Sequence, residues 1–434
     1  MPFLIFKSYL IVLGVSMNKL LLKNMLLNGT LTDIAISGKR FEKISPGLEG
    51  TGYEIIDGKG RFAVLPPFYN THNHAAMTLL RGYADDMELF TWLNNYIWPA
   101  EAKLTGEDIY DGTRLAILEM IKSGTVFFAD MYWHQADTVR AVKEMGIRAS
   151  IGMLFICDGE GNLLERNREG NRKLLELAGE FPEEITLSCA PHAVYTVSEK
   201  VLREVAQTAQ ENDLMIHIHA SETRREVEDC IAQHGMTPIG WLDHLGLLSE
   251  KTLLAHCTHL TPEDIRLISD RRSVIAHMPV SNMKLCSGSF DLMAAVNGNC
   301  RVTIGTDGCS SNNNLSMLEE MKFAALLAKQ VTNDPEAGRD TLIFDLATRC
   351  GAEAFGIDAG VIAEGKLADA LLVDLDNPLM VGDHNLIANM VYSADSSVID
   401  TVICGGKVLM RDRHVSGEQE IIERARKVCR KIAQ

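Results

Sequence analysis

Between residues 66 and 357 the chain alternates short apolar, β-rich runs with longer stretches in which apolar residues recur every three or four positions. The short runs are FYNTHNH (68–74), TVFFADMY (125–132), RASIGMLF (148–155), TLSCAPHAVY (186–195), LMIHIHASE (214–222), TLLAHCTHL (252–260), SVIAHMPVSN (273–282) and RVTIGTDG (301–308). Stretches such as 107–124 and 314–330 between them carry helical spacing, so the pattern predicts eight βα units. It therefore predicts an α/β fold, a (β/α)8 TIM barrel. The two ends read differently. Residues 18–65 hold LLLKNMLL, DIAIS, YEIID and RFAVLP between the turn signals NGT, SGK and DGKG. After 358 come ADALLVDLD and SVIDTVICGGKVLMRD, with Gly405-Gly406 suited to a two-residue hairpin, and then a closing helix over 418–433. The expected organisation is a β-sandwich built from both ends (1–65 and 358–434) beside a metal-dependent barrel (66–357).

Composition narrows the partner class. The 434 residues carry 42 Lys+Arg against 58 Asp+Glu, a net charge of -16, which disfavours nucleic acid and leaves a small molecule open. None of the ten cysteines is paired in a CxxC spacing, and several lie in apolar runs, as expected of free thiols in a cytoplasmic protein. The apolar run at 3–15 is interrupted by Lys7 and Ser8 and is too short to span a bilayer. No membrane association is expected, and residues 1–16 read as an over-long start preceding a native Met17.

The candidate chemistry lies at the ends of the counted strands, where barrel enzymes place reactive groups. The first ends in His72-Asn73-His74, whose alternation puts both imidazoles on one side; the fifth ends in His219, the sixth holds His256 and the eighth ends in Asp307. A lone histidine is usually structural, but this many imidazoles and a carboxylate at strand ends point to a borderline divalent metal with a position open for water. Three His and one Asp is a suitable count. His217 shares a side with His219 but lies deeper, which suits packing better than ligation. Glu222, just beyond the fifth strand, is the candidate proton carrier.

These residues sit in NTHNHAAMTLLRGYADDMELFTWLNNYIWPAEAKLT (70–105), SCAPHAVYTVS (188–198), HIHASETRREVEDC (217–230), LLAHCTHL (253–260), PVSNMKL (279–285) and GTDGCSSNNNLSMLEEMK (305–322). In content and order the six segments resemble the chlorohydrolase/deaminase branch of the amidohydrolase superfamily, nearest its 5'-methylthioadenosine/S-adenosylhomocysteine deaminase group. The resemblance runs from about Met17 to about Arg411. It implies that His72, His74, His219 and Asp307 hold one metal, Zn2+ or Fe2+, with His256 beside the attacking water and the departing amine. A second metal is not implied, because the fourth strand lacks the bridging Lys. It further implies attack at C6 of an adenine ring with proton delivery to N1 by Glu222, proton relay by His256 and Asp307, and loss of ammonia. Dimers or tetramers are implied as well.

For the substrate, the resemblance makes Glu101 a reader of ribose hydroxyls and His192 a substrate contact, and Trp92 or Trp98 can wall the nucleoside. The third strand carries Met153 where the family often has an Arg facing a homocysteine carboxylate, which suggests an apolar pocket at the 5' end. Arg148 lies at the wrong end of that strand, and Arg166 and Arg168 follow it in a loop. The expected activity is hydrolytic deamination of an adenosine-type nucleoside: methylthioadenosine, 5'-deoxyadenosine, adenosine or S-adenosylhomocysteine. The alternatives are hydrolytic deamination or dechlorination of another heterocycle, a guanine, pterin or triazine, and a catalytically silent barrel, whose mark of lost ligands is missing here.

Overall fold

The computed structural model describes residues 19–87, 89–382 and 384–433. The expectation about residues 1–16 lies outside them. Eight strands form one parallel sheet in sequence order: β6 (Phe68–Asn73), β7 (Thr125–Asp130), β8 (Arg148–Phe155), β9 (Ile185–Pro191), β10 (Met215–Ala220), β11 (Thr252–His256), β12 (Val274–His277) and β13 (Arg301–Ile304). All eight runs read from the sequence form strands. The seam between first and last closes at the C-terminal end, where the amides of Thr306 and Asp307 donate to the His72 carbonyl at 3.2 and 3.1 Å. Gly305 makes this possible, because a Cβ there would lie 2.8 Å from the His72 nitrogen.

Several helices between the strands start on side-chain caps, as at Thr105 and Thr261, where capping boxes with Asp108 and Asp264 open Gly106–Lys122 and Pro262–Arg271. Their apolar faces join the outward-facing strand residues in the main core.

The remaining strands are β1 (Lys19–Leu27), β2 (Thr30–Ser37), β3 (Arg40–Ser45), β4 (Glu54–Asp57), β5 (Phe62–Leu65), β14 (Ala370–Asp374), β15 (Ile399–Cys404) and β16 (Lys407–Met410). They make a second, mixed sheet in the order β16-β15-β14-β5-β1-β2-β3, with β4 also on β1. Both ends of the chain thus build it, as expected. The β3 region meets the segment leading into β14 through Phe41 N to Lys366 O and Ala368 N to Lys39 O, at 3.0 and 2.8 Å. One apolar core, including Leu22, Ile36, Phe41, Leu372 and Ile403, fills the space enclosed. The β15–β16 hairpin turns at Gly405 and Gly406, whose φ values of 53° and 73° are those of a type I′ turn. Strand β3 is not legible in the sequence because RFEKIS carries three charges, spread over both faces, and lacks a continuous apolar run.

A buried polar cluster fastens the two sheets together. Asp369 accepts from Tyr69 Oη at 2.8 Å and from the Gly405 amide at 2.6 Å, and it pairs with Arg148. Arg148 thus lies at the end of its strand away from the site, as the sequence indicated. Asp369→Ala leaves that guanidinium buried without its counter-ion, and we expect a loss of about 3–5 kcal/mol. Urea unfolding monitored by circular dichroism measures this; a loss below about 1 kcal/mol, the range of exposed pairs, contradicts it.

Candidate active site

The strand ends converge as the sequence predicts. His72 Nε2 and His74 Nε2 lie 3.4 and 3.3 Å from Asp307 Oδ1, and His219 Nε2 lies 3.3 Å from His74 Nε2. The donor atoms of His72, His74 and His219 are all within 4.8 Å of one another, as are those of His72, His256 and Asp307. Each of the three histidines uses its other nitrogen on the protein. His72 Nδ1 meets His217 Nε2 at 2.6 Å, His74 Nδ1 meets the Met131 carbonyl at 2.6 Å, and His219 Nδ1 meets the His192 carbonyl at 2.7 Å. Such partners orient metal-ligating imidazoles. His217 accordingly acts behind His72.

His72 Nε2 is fully buried and has no hydrogen-bond partner among the described residues. Imidazoles plus one carboxylate, with no thiolate, match the donor preferences of zinc and of ferrous iron. The residues present therefore fit a single divalent ion.

Asp307 is fixed by Ser281 and Ser311, whose hydroxyls donate to Oδ2 at 2.6 and 2.9 Å, and by the Gly308 amide, which donates to Oδ1 at 2.9 Å. Burial opposes its ionisation, but the adjacent His72 and His74 outweigh burial and hold the carboxyl well below the usual range. His256 Nδ1 faces the Asn282 amide nitrogen at 2.8 Å, and its Nε2 is 3.8 Å from Glu222 Oε2. Burial drives the Glu222 carboxyl well above its ordinary value, and the charges of Asp307 and Glu226 add to the effect. A raised pKa suits a carboxyl to proton donation. Ser221, His256 and Asp307, at or just past three strand ends, have φ of 51°, 74° and 61°. Non-glycine residues cost about 1 kcal/mol or more there, and such strain gathers at functional sites.

A cavity opens over this cluster. Its polar wall holds His74, Glu101, His192, His219, Glu222, His256 and Asp307, and its apolar wall includes Leu89, Trp92, Leu93, Trp98, Leu154 and Ile156. Glu101 is buried, accepts from Trp133 Nε1 at 3.2 Å, and has the Tyr132 hydroxyl beside its carboxyl, although its second oxygen makes no close hydrogen bond among the described residues. Burial raises its pKa. Burial also lowers His192 to about 3, so this ring is neutral at the cavity wall. Trp92 donates through its indole N–H to the Ala84 carbonyl at 2.9 Å, which fixes the ring.

Met153 requires a correction. It is 2% exposed, belongs to the core between barrel and helices, and does not line the cavity. Side chains alternate along β8, so Ala149, Ile151 and Met153 face outward while Leu154 faces the cavity. The apolar end of the pocket comes instead from Leu154 and Ile156. Arg166 stacks on Trp133 with its guanidinium 3.7 Å from the ring centroid and lines an adjoining cavity with Glu101, whereas Arg168 only pairs with Glu165 on the surface.

Ser281, Asn282 and Ser311 received no role from the sequence, although all three lie in segments that carry the resemblance. Polar residues directly after apolar strand ends were the available signal.

A profile of the amidohydrolase family matches residues 63–409. A 5'-deoxyadenosine deaminase of Methanospirillum hungatei is 47% identical over 379 residues, 86% of this chain and 83% of its own. A 5-methylthioadenosine/S-adenosylhomocysteine deaminase of Archaeoglobus fulgidus is 44% identical over 404 residues, 92% and 95% of the two chains. Among solved structures, an adenosine deaminase from Xanthomonas campestris with bound zinc superposes with a TM-score of 0.89 at 32% identity, covering 96% of this chain and 99% of its own. An atrazine chlorohydrolase from Arthrobacter aurescens, at 22% identity, TM-score 0.87 and coverage of 94% and 100%, shares the fold. With the family profile spanning most of its length and relatives above 40% identity on nearly all of it, the chain belongs to the amidohydrolase family.

Proposed function

We propose that this protein is a metal-dependent hydrolytic deaminase that converts the 6-amino group of an adenosine-type nucleoside to the inosine analogue with release of ammonia. The observation that carries the nucleoside is Glu101: a buried carboxylate on the same cavity wall as the His/Asp cluster, held by Trp133 and flanked by the Tyr132 hydroxyl, with one oxygen that makes no close hydrogen bond among the described residues. Two adjacent hydroxyls of a ribose are the donors such an acceptor lacks. The names of the relatives agree with this reading, as two act on 5'-deoxyadenosine or on methylthioadenosine and adenosylhomocysteine.

His72, His74, His219 and Asp307 would hold one divalent metal, Zn2+ or Fe2+. Such an ion supplies Lewis acidity that brings the pKa of water to about 7. Glu222 delivers a proton to N1 of the purine, which makes C6 electrophilic. His256 and Asp307 accept and relay the proton of the attacking water, and the amine leaves as ammonia. Glu101 and His192 orient the nucleoside, Trp92 packs against it, and Leu154 and Ile156 form an apolar surface for an uncharged 5' group. The proposal includes a cytoplasmic homo-oligomer, dimer or tetramer, on the strength of the family resemblance. No helix among the described residues is long and apolar enough to cross a membrane.

A substrate panel tests the reading. The zinc-loaded protein is given methylthioadenosine, 5'-deoxyadenosine, adenosine, adenosylhomocysteine, guanine and melamine, and ammonia is measured. Nucleosides are expected to react. Glu101→Gln should lower their kcat/KM by about ten- to a hundredfold, the scale of one or two hydrogen bonds to a charged group. Silence on every nucleoside with turnover of guanine or melamine transfers the site to another ring.

A further inference from the structure

One buried carboxylate beside the site enters the chemistry above only through its charge on Glu222. Glu226 is 3% exposed and lies in the first turn of the helix Arg224–His234, where its own amide donates to the Thr223 hydroxyl at 3.1 Å. That bond sets where the helix starts and so where the carboxylate points. Its two oxygens accept different backbone amides, Ser221 N on Oε1 at 3.0 Å and Glu222 N on Oε2 at 2.7 Å. Its partners are thus amides of the turn that carries Glu222.

The turn requires such a clamp. Ser221 holds a left-handed φ of 51° without being glycine, so the local backbone does not favour the conformation by itself. Two consecutive amides pointing into a dry interior also need acceptors. On its other side the turn is gripped through its carbonyls. The amide of His259 donates to Ser221 O at 3.1 Å, and the hydroxyl of Thr258 donates to Glu222 O at 2.6 Å. Both come from the loop after β11, the strand that ends in His256. The amide side is held by Glu226. Burial raises the Glu226 carboxyl to about 7, against which the amides of Glu222, Ser221 and Thr223 favour its charged form.

We propose that Glu226 is a positioning residue for the reaction: by taking the amides of Ser221 and Glu222 it fixes the turn that aims the Glu222 carboxyl at the purine and at His256. The inference rests on Glu222 being the proton donor. The side-chain oxygens of Glu226 accept from the amides of Ser221 and Glu222, so its effect passes through the turn that carries Glu222.

Glu226→Gln keeps size and shape but turns one acceptor into a donor facing an amide. The expected result is a fall in kcat of about ten- to a hundredfold, the cost of displacing a reacting group by about an ångström, with KM and metal content unchanged. In the Glu222→Gln background the same change should cost nothing further, because the group it positions is gone. Circular dichroism checks that each variant is folded. Glu226→Asp, which keeps the charge but reaches only one amide, is read the same way and serves if Glu226→Gln does not fold. Wild-type kcat in a Glu226 variant while Glu222→Gln is impaired overturns the positioning role and leaves the proton donor standing. So do losses that multiply in the double variant, as a general effect on stability or on the metal would produce. Wild-type turnover in Glu222→Gln removes the proton donor and the positioning role together.

Discussion

Glu222→Gln is expected to lower kcat by about 10²- to 10⁴-fold, or about 3–5 kcal/mol of transition-state stabilisation, with the metal still bound. The carboxyl is the group in the cavity best prepared to donate a proton, because burial and then the negative charges of Asp307 and Glu226 raise its pKa well above the ordinary carboxyl value. The amide keeps its volume and its contacts with the pocket but holds no transferable proton. Substrate affinity should therefore change little while the chemical step slows. The check is kcat and KM alongside metal content. A variant with full metal and wild-type kcat contradicts the assignment.

Removal of the metal should have a still larger effect. Chelation is expected to reduce turnover to the background, and one equivalent of Zn2+ or Fe2+ per chain should restore it. His219→Ala should lose activity in a way that added metal at the same concentration does not repair. The reason is geometric: His219 Nε2 lies 3.3 Å from His74 Nε2, and His72 Nε2 is buried without a partner, so the cluster is organised around a shared acceptor of lone pairs. Metal content by atomic absorption, read beside activity, separates loss of the ion from loss of fold. Full activity in chelated protein free of metal contradicts the metal-dependent reading.

Much of this architecture could be read from local pattern. Strands buried on both faces appear as largely apolar runs, and several of them end at a change to polar residues, which makes His72, His74, His219 and Asp307 legible as side chains at strand ends. Their convergence could be anticipated because closing a parallel barrel brings all C-terminal ends together. Met153 was misplaced because neighbouring positions on a strand face opposite ways. The family's position was matched along the sequence, but alternation along β8 gives the cavity to Leu154. The residues that fix the reactive groups were hardest to see. Ser281 reaches Asp307 across 26 positions, and Asn282 reaches His256 across the same distance, both from the short helix Pro279–Lys284, and nothing in that spacing marks the pairings. Glu226 is only four residues from Glu222, but a helix's first turn commonly carries an acid for reasons of capping alone. Nothing in that spacing distinguishes a carboxylate facing water from one turned back onto the preceding turn.

Hydrolytic loss of the 6-amino group is the central claim, and isotope incorporation tests it most directly. The zinc-loaded protein is incubated with 5'-deoxyadenosine in 18O-labelled water, and the product is examined by mass spectrometry with ammonia measured in parallel. The account predicts the inosine analogue carrying one 18O on the purine ring, with one ammonia released per product. Free adenine, which marks cleavage of the glycosidic bond, or unaltered nucleoside with metal fully bound would contradict it.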